Sequence, residues 1–281
     1  MTAEPPATAP GDDEAGAPAE PRMAPAAVPG PLPAVVYEDD ALIAFDKPSG
    51  MLVAPGGVED EAPDLMTRLH AQCSPEWFNA HRLDRDSSGV LLVAKSRDIV
   101  RVLTKIWSSG EVRKAYRALV HGAPADNEGV MRARIAPDRR RPGRMRVASY
   151  ADSGKPAETH YRILQRWRRH SLVAAEPITG RTHQIRVHLH ALGAPIVADP
   201  LYGPHTPLLL SDLKRGYKFK RDEPERPLMG RLALHALTLT LPHPVTGERL
   251  TIEAPLPRAF AVSIKYLDRY EALGASSAGP T

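Results

Sequence analysis

The chain has 281 residues, 42% of them hydrophobic and 25% charged, with a formal net charge of +4 and one cysteine. This length and apolar content can bury a full core and fit one large domain, while a lone Cys73 excludes a disulfide framework and a cysteine-based zinc site. No run of about twenty apolar residues and no basic start followed by an apolar stretch occurs, so neither a membrane span nor a secretory signal is expected.

Residues 1–33 are mostly Ala, Pro, Gly and acid, with almost nothing large and apolar to bury. They are expected to be a disordered tail. Asp12, Asp13 and Glu14 in that tail speak against an Arg-rich, acid-poor transit peptide, which leaves a cytoplasmic protein as the simplest expectation. From residue 34, VVYE and ALIAFD flank Asp39-Asp40 as two short strands with a tight turn, and KPSG marks a loop. GVLLVA at 89–94 is a buried strand, and Ser96 and Asp98 cap a helix with Ile99, Val100, Leu103, Ile106 and Trp107 on its apolar face, ended by Gly110. In the strand from Val112 to Val120, a period of two sets Lys114 and Tyr116 side by side on one face.

Further strands are expected at 159–167, 171–176, 232–241 and 250–253, the last two joined at Thr246-Gly247. Helices are expected after Gly180, with Ile185, Leu189 and Leu192 in a stripe, and near the end with Phe260, Ile264 and Leu267. Strands joined mostly by hairpins, with few crossover helices, give an α+β domain on a mixed, largely antiparallel sheet with flanking helices and loops. Its span is 34–270, with a flexible C-terminal tail at 271–281.

Basic residues cluster at Arg139, Arg140, Arg141 and Arg144, at Arg166, Arg168 and Arg169, and at Lys214, Arg215, Lys218 and Lys220. A single such run is more often a solvated face than a binding site, but together they suit a polyanion. Two segments concentrate the chemistry. His81-Arg82-Leu83-Asp84-Arg85-Asp86-Ser87-Ser88-Gly89 crowds ionisable groups just ahead of an apolar strand. If extended, it turns Arg82 and Asp84 one way and Leu83 towards the core. A functional loop and a surface turn with a salt bridge both fit that pattern. In Gly180-Arg181-Thr182-His183-Gln184, a strand hands over to a helix, and backbone N–H groups beside Arg181 suit a phosphate or carboxylate.

Other chemistries fit less well. His183, His188 and His190 fall at gaps of five and two, whereas two ligands on one helix face need a gap of four, so no metal is expected. Ser87 and Ser88 lack a nucleophile elbow. Asp84 and Asp86, two residues apart in one loop, are poorly placed as the opposed carboxylates of a glycoside hydrolase.

These residues resemble the RluA-type family of pseudouridine synthases, over about Val35 to Pro257. The resemblance rests on five segments in order: DKPSGMLV, HRLDRDSSGVLLVAKS, VRKAYRALVHG, ITGRTHQIRVHLHALGAPIVADPLYG and LALHALTLTLPHP followed by TGE. It implies an isomerase that converts chosen uridines of structured ribosomal or transfer RNA to pseudouridine, with no redox cofactor, nucleotide or metal. It also implies that Asp84 is the catalytic aspartate, that Arg82 helps to orient the extruded nucleotide, that Tyr116 stacks on the target uracil, and that Arg181 pairs with Asp84. Ser87 stands where the family usually has threonine, and Ala54 where a histidine is frequent. The segment from Pro204 to Met229 is longer than the family's minimal loop and is a candidate RNA-contacting insertion, as is the basic hairpin around Arg139 to Arg146. A monomer is the default, with no membrane partner.

Overall fold

The structure is a computed structural model that describes residues 30–55, 64–149, 154–218 and 223–273. The expected N-terminal tail therefore lies outside the described residues up to 29, as does Lys220 of the basic insertion.

β1 (Val35–Glu38) and β2 (Leu42–Lys47) form the first hairpin. The Asp39 carboxylate closes its turn by accepting from the backbone N–H groups of Ala41 and Leu42, at 2.8 and 2.7 Å. α1 (Leu65–Gln72), capped by Asp64, and the two-residue β3 (Phe78–Asn79) lead to β4 (Ser88–Ala94). α2 (Arg97–Ser109) starts at Ser96, whose side chain accepts from Ile99 N, and stops at Gly110 in the left-handed region, as its sequence requires. β5 (Arg113–His121), β6 (Glu128–Pro137), β7 (Met145–Val147), β8 (Lys155–Arg166) and β9 (His170–Pro177) follow as antiparallel neighbours. The chain continues through α3 (Gln184–Ala191), the short α4 (Leu210–Leu213), β10 (Leu234–Pro242), β11 (Arg249–Glu253) and α5 (Arg258–Tyr270).

The strands form one eleven-stranded sheet in the order β1-β2-β4-β10-β5-β9-β8-β6-β7, with β11 beside β10 and β3 beside β4. The α+β class with a largely antiparallel sheet is therefore what the sequence implied. Among the described residues, the exception in direction is β4 with β10, which run parallel through His235↔Ser88 and Ala236↔Gly89. At that seam a Cβ on Gly89 would lie 2.1 Å from the Ala236 carbonyl oxygen, and Gly89 has φ +113°, so only glycine fits. Because β10 separates β4 from β5 and pairs Ala236 with Tyr116, the seam brings the loop before β4 close to the middle of β5.

β4 is buried along its whole length because both its faces are covered. Leu91 and Val93 meet Leu65, Met66 and Leu69 of α1, while Val90, Leu92 and Ala94 join Leu103 of α2. That double cover explains its unbroken apolar run, at about 1.5–3 kcal/mol for each large side chain removed from water. On the other half of the sheet, Ala118, Val120, Val173 and Ala175 pack against Ile185 and Leu189 of α3 and Phe260 and Leu267 of α5.

Two details bear on the expected boundaries. Glu271 does not begin a flexible tail: it is 1% exposed, takes hydrogen bonds from Arg169 Nε and His170 Nδ1, and ties the end of α5 to β9. The insertion at 204–229 has a folded base, since Leu208 bridges Met229 and both are buried with Leu213. Among the described residues, no helix is long and apolar enough to cross a membrane.

Candidate active site

The loop from His81 to Ser87 is held by its backbone. Leu83 is buried against the α1 cluster, which leaves Arg82 exposed and Asp84 partly open, as an extended run demands. Lys47 at the end of β2 has no exposure, and its ammonium donates to the carbonyls of Pro48, Met51 and Arg85 at 2.9, 2.8 and 3.0 Å. Burial pulls its pKa down to about 8. Ser49 Oγ donates to Asp86 O at 2.6 Å, and Gly50 N to Arg85 O at 2.9 Å. The KPSG segment is thus a clamp on the Asp84 loop.

Either end of the loop is fixed as well. His81 Nε2 accepts from Leu92 N at 3.1 Å while its ring stacks on Trp107. An accepting nitrogen needs a neutral ring, and burial, with the charge of Lys114 adding to it, pushes the His81 pKa down to about 4. Ser88 Oγ lies 2.9 Å from Nδ1 of the buried His235 and accepts from Arg231 at 3.1 Å. Ser87 and Ser88 are buried among such contacts rather than arranged as nucleophiles.

The arginine facing Asp84 is Arg186, which corrects the pairing implied for Arg181. Arg186 Nη1 stands 3.5 Å from Asp84 Oδ2. Arg181 instead sits in the turn before α3, where its Nε donates to Pro156 O at 3.0 Å. The physical reason lies in α3: residues 184–189 are all buried, so the helix is covered all round, and Arg186 is carried inward with it. A charge there needs a partner. Asp199, with no exposure, supplies one by accepting from Arg186 Nε and Nη2 at 2.9 and 2.8 Å. Asp199 Oδ1 also accepts from Leu201 N and Tyr202 N, which fixes the carboxylate itself. Burial alone would lower the Arg186 pKa, but Asp199 raises it, and Asp84 adds to that. The guanidinium therefore stays charged, with Nη1 presented to Asp84.

Tyr116 on β5 packs against both the α3–α5 cluster and the α1 cluster. Burial, and then the charge of Asp84, raise its pKa well above that of free tyrosine, so its hydroxyl stays neutral. Lys114 lies on the same strand face, and burial lowers its pKa. The structure thus brings together Asp84, Tyr116 and Arg186, with Arg82 exposed at the loop's surface. Of the other basic candidates, Arg144 lies over the ring of Tyr202, as Arg186 does. Arg139, Arg140 and Arg141 are exposed in the turn between β6 and β7, and Lys214, Arg215 and Lys218 are exposed after α4.

Sequence reasoning missed Arg186, Asp199 and the clamp role of Lys47. The usable signal for the first was an arginine flanked by Ile185 and Val187 inside an apolar helix, with an aspartate downstream to neutralise it. Among the described residues, no group of three or more His, Cys, Asp or Glu is arranged to hold a metal ion.

Comparison with known proteins identifies the family. Residues 41–191 match the family model described as RNA pseudouridylate synthase. The chain is 38% identical over 234 residues to the ribosomal large subunit pseudouridine synthase D of Xanthomonas campestris, covering 79% of this chain and 66% of that protein. It is 35% identical to the dual-specificity RNA pseudouridine synthase RluA of Escherichia coli K12, covering 79% of this chain and 92% of that one. Among solved structures, human RNA pseudouridylate synthase domain containing 1 superposes with a TM-score of 0.63 at 26% identity, covering 85% of this chain and 90% of that one. Asp84, the segment that clamps it and Arg186 fall within the matched region, with Asp199 just beyond it, and the chain belongs to the RNA pseudouridylate synthase family.

Proposed function

We propose that this protein isomerises uridines in structured RNA to pseudouridine, with Asp84 as the catalytic group. The observation that carries this reading is the Asp84 carboxylate. Its side chain is 26% exposed, and it faces an arginine that is itself 2% exposed and locked to a second, buried aspartate. A reactive carboxylate is thereby held in one place but left open to substrate.

The reaction breaks the bond from ribose C1′ to uracil N1 and joins C1′ to C5. C5 loses its hydrogen as a proton and N1 gains one, so no atom or electron is added overall. A uridine in a stack must be extruded before its glycosidic bond can be reached. Tyr116 supplies an aromatic surface for the freed base, at about 1–3 kcal/mol per stacked base. Arg82, exposed beside Asp84, is placed to orient the extruded nucleotide. Arg186 holds the carboxylate as the base closes over it and sheds water.

The relatives' names refer to the large ribosomal subunit and to dual specificity on RNA, and ribosomal or transfer RNA is the proposed substrate here. Arg139, Arg140, Arg141, Arg144, Lys214, Arg215 and Lys218 are the proposed phosphate contacts, and Lys220 belongs with them by sequence. The test is release of tritium from ribosomal and transfer RNA labelled at uracil C5, by the wild-type protein and by Asp84→Asn. Release by the wild type alone supports the reading. Equal release by the variant removes Asp84 from the chemistry, and the appearance of free uracil would make the protein a glycosidase.

A further inference from the structure

Between the basic hairpin and the active site stands one aromatic side chain that the reaction as described does not use. Tyr202 is 3% exposed, in the turn after Asp199. The guanidinium of Arg186 lies 5.1 Å from the centre of its ring, and that of Arg144 lies 5.0 Å from the same ring. Its hydroxyl accepts from Met145 N, at the start of β7, at 2.7 Å. The same oxygen lies 2.9 Å from Nδ1 of His183, the residue that leads into α3 with φ 54°. The backbone of Tyr202 is also tied down, since its N–H donates to Asp199 Oδ1 at 3.1 Å.

The hydroxyl, guanidinium and backbone contacts of Tyr202 therefore run either to the β6–β7 hairpin or to the group that holds Arg186, while the ring also packs with Ile135, Ala157 and Val187 and lies near His190. Arg144 and Met145 are on the hairpin side, and Arg186, Asp199 and His183 are on the other. A fully buried tyrosine with its hydroxyl satisfied is often only a core residue. Here, however, its ring also meets two guanidiniums, one buried with Arg186 and one half-open at the surface with Arg144. A planar guanidinium can rest its face on an aromatic ring while its edge N–H groups still bind a phosphate.

We propose that Tyr202 is a positioning residue that links RNA engagement by Arg144 to the placement of Arg186 against Asp84. A phosphate held by the edge of Arg144 fixes that side chain on the ring, and the fixed ring limits the movement of the Arg186 guanidinium. Arg144 thus serves both affinity and rate, and the two are separable because charge and planarity are separable. The proposal rests on the RNA-modifying activity proposed above.

The experiment uses the full chain and an RNA from which the wild type releases tritium. Absence of release by the wild type would count against the proposed activity and not against the link. RNA affinity and the single-turnover rate at saturating enzyme are measured for Arg144→Lys, Arg144→Gln, Tyr202→Phe and Tyr202→Leu, with a melting curve for each. Arg144→Lys keeps the charge and loses the planar face. It is expected to bind within about threefold of wild type and to react on the order of tenfold more slowly. Arg144→Gln is expected to lose affinity as well. Tyr202→Leu is expected to lower the saturating rate by at least as much as Arg144→Lys, with little change in affinity, and adding Arg144→Lys to it should slow the reaction no further. Tyr202→Phe keeps the ring and fold should Tyr202→Leu not fold, and it tests the hydroxyl bridge to Met145 and His183. A saturating rate for Arg144→Lys equal to wild type would overturn the proposal, as would additive losses in the double variant.

Discussion

The two flanks of the active site are built on different principles. Asp84 sits in a loop fastened through backbone carbonyls by Lys47, Ser49 and Gly50, and its side chain remains 26% exposed. Arg186 sits in a buried helix, is fastened through its own side chain to Asp199, and is 2% exposed. A group that meets substrate has to be reachable, so its neighbours grip the backbone and leave the carboxylate open. A group that only orients can be gripped by its functional end, and the buried ion pair gives it one direction.

That contrast is open to being broken. Asp199→Asn leaves Arg186 buried with a neutral partner, and is expected to destabilise the fold by about 3–5 kcal/mol, lowering Tm by on the order of 10 °C. Lys47→Met on the opposite flank removes the donor to the carbonyls of Pro48 and Met51 and one of the two donors to Arg85 O, at about 1–3 kcal/mol in total where water reaches the loop. Thermal melts of the two variants decide the matter. A larger loss for Lys47→Met would mean that the loop, not the ion pair, is the dominant element of the site's stability.

Acid should strain both flanks together. His235 beneath Ser88 and His188 within α3 are buried, and burial pushes both pKa values down to about 4. His81 and His121 are shifted down to about 4 for the same first cause. Because the folded pKa lies below the ordinary value of about 6.5, the unfolded chain takes up protons first as pH falls. The stability these neutral rings contribute is therefore complete above pH 6.5 and is lost progressively down to about pH 4. For each of His188 and His235 the slope is at most about 1.4 kcal/mol per pH unit. Urea midpoints should hold from pH 7.5 to about 6.5 and then fall towards pH 5, and His235→Gln should flatten the fall. A midpoint that does not change across that range would contradict the buried neutral state.

Much of the fold was legible in the sequence because its signals are local. The Asp39 turn, the Ser96 cap, the Gly110 stop and the unbroken apolar run of β4 each follow from a few neighbouring residues. The Asp84 loop was legible for the same reason, as was Tyr116 beside Lys114 on one strand face. What escaped was non-local. The clamp joins Lys47 to Arg85, and the ion-pair chain joins Asp84, Arg186 and Asp199 across segments that only the β4–β10–β5 arrangement brings together. Arg181 was the arginine with the more exposed, loop-like setting, and such a setting suits a ligand contact. The partner of a carboxylate under a closing base is better placed in a dry helix, and nothing local distinguishes that role from ordinary core packing.

The smallest effect separates those two arginines. Among the described residues, the Arg181 side chain donates to the Pro156 carbonyl, and Arg181 is half-buried at the turn before α3. Its position at the turn suits an RNA contact, so Arg181→Ala is expected to raise KM by about two- to fivefold and to leave kcat within about twofold. Arg186→Ala, in contrast, removes the cation facing Asp84 and also leaves Asp199 buried without its partner, so kcat is expected to fall by about a hundredfold or more. Arg186→Lys sharpens the reading, because it keeps the charge but not the fork that binds Asp199 while reaching Asp84. If geometry is what matters, it should recover little of the rate. A drop in kcat for Arg181→Ala comparable to that for Arg186→Ala would mean that the turn before α3 closes onto Asp84 when RNA binds. The division between a buried orienting arginine and an open, substrate-facing loop would then fail for the bound enzyme.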